Sequence, residues 1–259
     1  MSLNVLAVRS PWFRLTRMTE QITRVDEPHV DPLLRANIWH VKGNQRDLLV
    51  DTGLGVAPLR SSFPQLFERE PIVILTHAHL DHSGGAHEFD SVWLHPAEDI
   101  TTTSGRSLRA NVLADQLGLA LSAEEVPASG LLLEASPHDQ FDVDAYKLTK
   151  PRHVGALADG MTFPLGDETA RILHLPGHTP GTVAIYLETS KALFTGDCIY
   201  DDILLDDLHE SDRDAYRRSV AQLLTIDVDH VYPGHGHDFE QTRLRQLLND
   251  YLTSHELEK

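Results

Sequence analysis

The stretch PIVILTHAHLDHSGG, residues 71–85, carries a structural and a chemical signal together. Pro71 to Thr76 is a continuous apolar run, the pattern of a strand buried on both faces. It delivers the chain directly into THAHLDH, where four residues of metal-ligating type fall within six positions. Side chains on extended backbone alternate with period two, so His77 and His79 project to one side and can reach one ion. Asp81 and His82 follow as the chain turns into a helix, on a different heading that suits a second ion. Ser83, Gly84 and Gly85 then permit close backbone approach at the helix start. A lone His-x-His pair on a strand is more often surface or core than ligand; the density of ligand types here is what distinguishes it.

Working outward, three more candidate ligands each stand at the end of a predicted strand and beside glycine: His178 in LPGHTPG, Asp197 in LFTGDC and His235 in VYPGHGH. Imidazole and carboxylate donors suit zinc and admit iron or manganese. Seven protein ligands exceed what one four- or five-coordinate ion can take, and two ions sharing a carboxylate accommodate them. The expected cofactor is therefore two divalent metal ions, with zinc favoured by the histidines. Cys198 is the only cysteine, which excludes a disulfide within the chain.

The rest of the chain reads as alternating strand and helix signals. MTEQITRV, RANIWHVKG and RDLLVDTG form a first strand series, with a turn at Gly43 and Asn44. MTFPLG, RILHLPG, TVAIYLE and KALFTGD form a second, over residues 161 to 200. Two helices close the chain. One is expected to open at Ser211 with Asp214 in a capping box and an apolar face of Tyr216, Val220, Leu223 and Leu224. The other carries Leu244, Leu247, Leu248, Tyr251 and Leu252 at helical spacing. Residues 97 to 160 differ: Leu108, Val112, Leu113 and Leu117 predict a helix, and Ser122 with Glu125 predicts another start. This segment is expected to be an inserted, mostly helical cap within a single domain spanning 1–259.

THAHLDH, PGHTPG, TGD and PGHG together resemble the metal-binding motifs of the metallo-β-lactamase superfamily, from about residue 20 to the C-terminus. The resemblance implies an α/β fold, a four-layer αββα sandwich with the metals in a cleft at one edge of the paired sheets. It also implies that His77, His79 and His178 bind the first ion, that Asp81, His82 and His235 bind the second, and that Asp197 bridges them. Asp51, in LLVDTG, matches the family's aspartate that orients the metal-binding loop without itself being a ligand. His174 and His237 sit off the motifs, and His87, His95, His138 and His153 read as surface or packing residues. Cys198 adjoins Asp197 rather than replacing it, which argues against β-lactam hydrolysis.

Two such ions bring a bound water toward neutral pKa and polarise a carbonyl, so the expected reaction is acyl transfer to water. Asp81 is expected to orient or shuttle the proton, and Tyr200, three residues beyond Asp197, to donate a hydrogen bond to the oxyanion. The stretch HSGGAHEFDSVWLHPAE with TGDCIYDD resembles a superfamily branch that hydrolyses acyl-CoA, which implies a small-molecule acyl substrate, a thioester or carboxylic ester. The spacing of Tyr200 also resembles quorum-quenching lactonases, and an iron-dependent persulfide dioxygenase shares the fold. CIYDDILLDDLHESD offers no basic residue for a glutathione carboxylate. A formal net charge of −17 with scattered Lys and Arg argues against nucleic acid as a partner. The N-terminal stretch lacks a signal-peptide pattern and no run approaches a membrane span, which predicts a soluble, cytoplasmic protein.

Overall fold

The computed structural model describes residues 6–103, 105–120, 122 and 126–254. The strands are β1 (Arg14–Arg17), β2 (Ile22–Asp26), β3 (Ile38–Val41), β4 (Leu48–Val50), β5 (Ile72–Ile74), β6 (Ser91–Leu94) and β7 (His153–Ala156), followed by β8 (Thr162–Pro164), β9 (Thr169–His174), β10 (Val183–Leu187), β11 (Ala192–Gly196), β12 (His230–Pro233) and β13 (Phe239–Glu240). The α-helices are α1 (Leu59–Ser62), α2 (Leu80–Ser83), α3 (Ala110–Leu117), α4 (Arg213–Leu223) and α5 (Gln241–Ser254). Strands β1 to β7 form one seven-stranded sheet in chain order, and a six-stranded sheet runs β13-β12-β11-β10-β9-β8. Pairing is antiparallel from β1 to β4 and parallel from β4 to β7. In the second sheet β11 and β12 pair in parallel, and the other neighbours run antiparallel.

Alternation along the strands explains why the sheets stack. In β4, Leu48 and Val50 point into an apolar core shared with Ile172, Ile185 and Phe194 of the second sheet, while Leu49 points the other way, into a core with Leu59, Leu80 and Leu113. In β10, Val183, Ile185 and Leu187 face the first sheet, and Ala184 and Tyr186 face Tyr216, Val220 and Leu248 of α4 and α5. Three cores thus separate four layers, the αββα order expected from the motifs. Each fully buried Leu, Ile or Phe side chain contributes about 1.5–3 kcal/mol by leaving water. Trp39 anchors the middle core, edge-on to Phe194 and Tyr232.

Residues 97 to 160 depart from the expectation of a mostly helical cap. Among its described residues, α3 is the one α-helix, beside a single 3-10 turn at Val143–Ala145, and its far end is strand β7, paired with β6. Leu131 and Leu133 make isolated bridges to Arg109 and Val30, with a bend at Leu132 between them. Left-handed glycines at Gly105, Gly118 and Gly130 interrupt helical continuity. The helix start expected at Ser122 with Glu125 falls partly outside the described residues. Leu108, Leu113, Leu117, Leu132 and Leu133 join the outer core of the first sheet, so this segment covers a sheet face.

Helix α4 begins one residue later than expected: Asp212, and not Ser211, is the N-cap, and its side chain accepts from Ala215 N. Ser211 is drawn elsewhere, its hydroxyl donating to the carbonyl of His178 at 2.8 Å. No helix among the described residues is long and apolar enough to cross a membrane.

Candidate metal centre

All seven expected residues come together at one edge of the sheets, where strands end and loops begin. His77, His79, Asp81 and His82 lie between β5 and the end of α2, His178 in the β9–β10 loop, Asp197 just after β11 and His235 just after β12. The ligand-type atoms of His77, His79 and His178 lie within 4.8 Å of one another, as do those of Asp81, His82 and His235. His77, His82 and Asp197 form a third such group that joins the first two. This is a buried His/Asp cluster compatible with a dinuclear metal site.

The hydrogen bonds outside the cluster decide which ring nitrogen faces in. His178 Nδ1 lies 2.9 Å from the Leu205 carbonyl, which can only accept, so Nδ1 carries the proton and the neutral ring turns its Nε2 lone pair inward. His82 Nδ1 lies 2.8 Å from an Asp51 carboxylate oxygen, which fixes a proton on Nδ1 and leaves Nε2 as the nitrogen that faces the cluster. His77 Nδ1 sits 3.1 Å from Thr76 Oγ1, whose own proton goes to Asp51, and His77 Nε2 has no hydrogen-bond partner among the described residues. His79 is reversed: Nδ1 faces His178 Nε2 at 3.1 Å, and Nε2 points toward the Glu210 carboxylate at 3.8 Å. His82 Nε2 and His235 Nε2 approach to 3.3 Å. Pairs of imidazole nitrogens converging on one another, beside a buried Asp197 Oδ1 that lacks a hydrogen-bond partner, are what a cation-binding donor set requires. The residues present fit two divalent ions.

The two halves of the cluster differ in charge. Burial, with positive neighbours, holds His77 well below the ordinary histidine value, and burial lowers His178 to about 4 despite Asp197. Burial also opposes charge on His82, but Asp197, Asp81 and Asp51 outweigh it and hold that ring well above its ordinary value. His235 is raised to about 9, burial again being overcome by Asp197 and Asp81. Metal binding must displace protons from this second half. Loading the metal-free protein with two ions at pH 7.5 is expected to release about one to two protons, seen as heats that vary with buffer ionisation enthalpy, and release should diminish as pH rises past about 9, where His235 has already lost its proton. Equal heats in all buffers would contradict this. On these two rings alone, stability of the metal-free protein falls as pH rises from ~6.5 through about 9, where His235 loses its extra proton, and also as pH falls from ~6.5 to about 4, where His178 must be charged.

The Tyr200 hydroxyl, expected to serve an oxyanion, is engaged by its own loop. It donates to the Ile203 carbonyl at 2.8 Å and accepts from Leu205 N at 3.3 Å, because the loop folds back over the ring. The ring itself lies against His235, with centroids 5.8 Å apart. Asp81 faces the second group, 3.2 Å from His235 Nε2 and 3.6 Å from His82 Nε2. Asp51 stands behind the ligands, bonded to Thr76 and His82. His95 and His174 stack on each other at 4.0 Å, His138 packs edge-on to Phe141, and His87 bonds the Gly84 carbonyl. Cys198 is buried, its thiol pushed up to about 12. Sequence reading assigned no role to Glu98 and Glu210, which touch the ligand loops from distant positions and lie outside the metal-binding motifs.

The chain belongs to the metallo-beta-lactamase superfamily, whose family pattern matches residues 31–235. It is similar to the acyl-coenzyme A thioesterase MBLAC2 of Homo sapiens, with 30% identity over 261 residues, covering 93% of this chain and 88% of that protein. Among solved structures it resembles a metallo-beta-lactamase family protein of Thermus thermophilus, with a TM-score of 0.63 and 21% identity over 93% of this chain and 81% of the other. It also resembles TTHA1623 in a di-iron-bound form, with a TM-score of 0.58 and 26% identity over 84% of this chain and 96% of the other.

Proposed function

We propose that this protein is a dinuclear metal-dependent hydrolase that cleaves thioesters of the acyl-coenzyme A class. The observation that carries the reading is the convergence of inward-facing imidazole lone pairs and carboxylates at one strand edge, in a chain alike over 93% of its length to an acyl-coenzyme A thioesterase. His77, His79 and His178 would hold one ion and Asp81, His82 and His235 the other, with Asp197 shared between them. Zinc suits this donor set, and the di-iron-bound relative keeps iron as the alternative. Bound there, the ions would supply Lewis acidity at the acyl carbonyl and water activated near neutral pH.

The chain's own groups fit the remaining steps. Burial raises the pKa of Asp81, yet His82 and His235 bring it below the ordinary aspartate value, so its carboxylate is ionised and can accept a proton from the attacking water. Attack forms the acyl C–O bond and breaks the C–S bond, giving a carboxylic acid and a thiol. A thiolate leaves without prior protonation because thiol pKa values lie near ~8.5, whereas an amine or alkoxide leaves only with a proton supplied. The protic groups flanking Asp197 are poorly suited to supply one: Tyr200 donates to Ile203, and Cys198 is buried with a raised pKa. Asp81, once it holds the water's proton, is the remaining donor; a thioester needs none, which favours it over a lactone or a β-lactam.

The metal-loaded protein should be offered acyl-coenzyme A and glutathione thioesters, lactones, a phosphodiester, a β-lactam and a persulfide, with metal content measured in parallel. Acyl-coenzyme A turnover is expected to exceed every other class by about a hundredfold or more in kcat/KM. Preference for a lactone, or oxygen uptake with a persulfide, would overturn the assignment.

A further inference from the structure

Glu98 lies in the loop after β6, belongs to no metal motif and is half-buried. One of its carboxylate oxygens, Oε2, accepts the backbone N–H of Ala78, the residue between His77 and His79, at 3.0 Å. The other, Oε1, accepts the Thr179 hydroxyl at 2.6 Å and the Gly181 N–H at 2.8 Å, on the loop that carries His178. The sequence separations are 20, 81 and 83 residues, so a single carboxylate joins two loops that lie far apart along the chain. Gly181 is part of the same arrangement. A Cβ at Gly181 would lie 2.5 Å from Glu98 Cγ, so the glycine provides the space that lets the carboxylate approach.

We propose that Glu98 is a positioning residue for the first metal: it clasps the His77/His79 loop to the His178 loop and so sets the geometry and affinity of that three-histidine group. The inference rests on the dinuclear reading above. Lone pairs from three rings must converge on one point, and an error of a few tenths of an ångström in loop separation weakens every bond at once. Charge-assisted acceptors such as this carboxylate hold backbone donors more firmly than neutral ones. Supporting partners of metal ligands typically contribute tenfold to hundredfold in metal affinity when removed.

Glu98→Ala frees both loops. Glu98→Gln keeps the side-chain length but presents an NH2 to one of the two sets of N–H donors, so one loop is released. Stepwise zinc affinities are to be measured by chelator competition, and the visible spectrum of the cobalt-substituted protein records ligand geometry without reference to substrate. In both variants the affinity for one of the two equivalents should fall by about tenfold to hundredfold, with altered cobalt bands, while the other equivalent binds within about threefold of the parent. Thr179→Val removes one of the three contacts and should give a smaller loss at the same equivalent, which keeps the test valid if the Glu98 variants fold poorly. Unchanged affinities in the folded variants, or equal weakening of both equivalents, would overturn the proposal. A parent protein that binds fewer than two ions would instead refute the dinuclear reading and is recognised before any variant is made.

Discussion

Asp197→Ala is expected to lose at least one of two bound ions and to lower kcat/KM by about a thousandfold or more, roughly 4 kcal/mol in the transition state. The reason lies in how the carboxylate is placed. Oδ1 is 3.2 Å from His82 Nε2, while Oδ2 is 3.6 Å from His178 Nε2 and 3.5 Å from His235 Nε2, so its two oxygens reach both halves of the cluster. Burial would raise its pKa, but His235 and His82 hold it well below the ordinary aspartate value, and it stays ionised in the folded protein. Between two cations, that negative charge offsets a repulsion no neutral side chain can offset. The measurement is metal stoichiometry by elemental analysis together with kinetics on the preferred thioester. Two tightly held ions and activity within tenfold of the parent would show that Asp197 does not bridge.

The second large effect is expected at Asp51, which is 1% exposed and adopts a left-handed backbone with φ of 62°. Its carboxylate accepts from Thr76 N at 2.8 Å and from the Thr76 hydroxyl, and lies 2.8 Å from His82 Nδ1. Asp51→Ala leaves these buried donors unpaired and places a Cβ residue without a polar side chain in the αL region. The combined cost is about 3–5 kcal/mol, which for a domain of this size lowers the melting temperature by roughly 10 °C. Asp51→Asn separates charge from shape, since Asn tolerates αL and its carbonyl still accepts from Thr76. Its NH2 then opposes His82 Nδ1, and the ring must turn its proton toward the cluster. Metal affinity at the second group should fall by about tenfold to hundredfold with a much smaller change in melting. Parent-like metal affinity in Asp51→Asn would show that the tautomer of His82 is not set by this contact.

Much of the fold was legible because its determinants are local. Alternation in LLV, VAIYL and ALF identifies strands that bury both faces, and the apolar spacing of Tyr216, Val220 and Leu223 gives α4 its inner side. The segment 97 to 160 was less legible because leucines predict burial without specifying helix. Leu131 to Leu133 are buried through isolated bridges and a bend and not in a helix, and glycines at positive φ keep the segment from continuing as helix. The capping box at Ser211 failed for a tertiary reason. The Ser211 side chain turns toward the His178 carbonyl on the ligand loop, away from the helix, and the Asp212 carboxylate accepts from Ala215 N in its place.

The residue types and spacing in THAHLDH, PGHTPG, TGD and PGHG were enough to point to the His/Asp cluster, since donor type is a property of the side chain and strand ends are set by local pattern. Side-chain direction is not. Whether Tyr200 faces the cluster or its own loop depends on where Ile203 and Leu205 fold back, and that loop places the hydroxyl on their backbone. The same holds for ring tautomers, fixed by Leu205, Asp51 and Thr76 around the cluster, and for Glu98, whose partners lie 20 to 83 residues away. Sequence determined which groups can bind metal and on which strands they ride. Tertiary structure alone decided which lone pairs point inward and what holds the loops together, because hydrogen-bond geometry acts through space over a few ångströms and leaves no spacing along the chain.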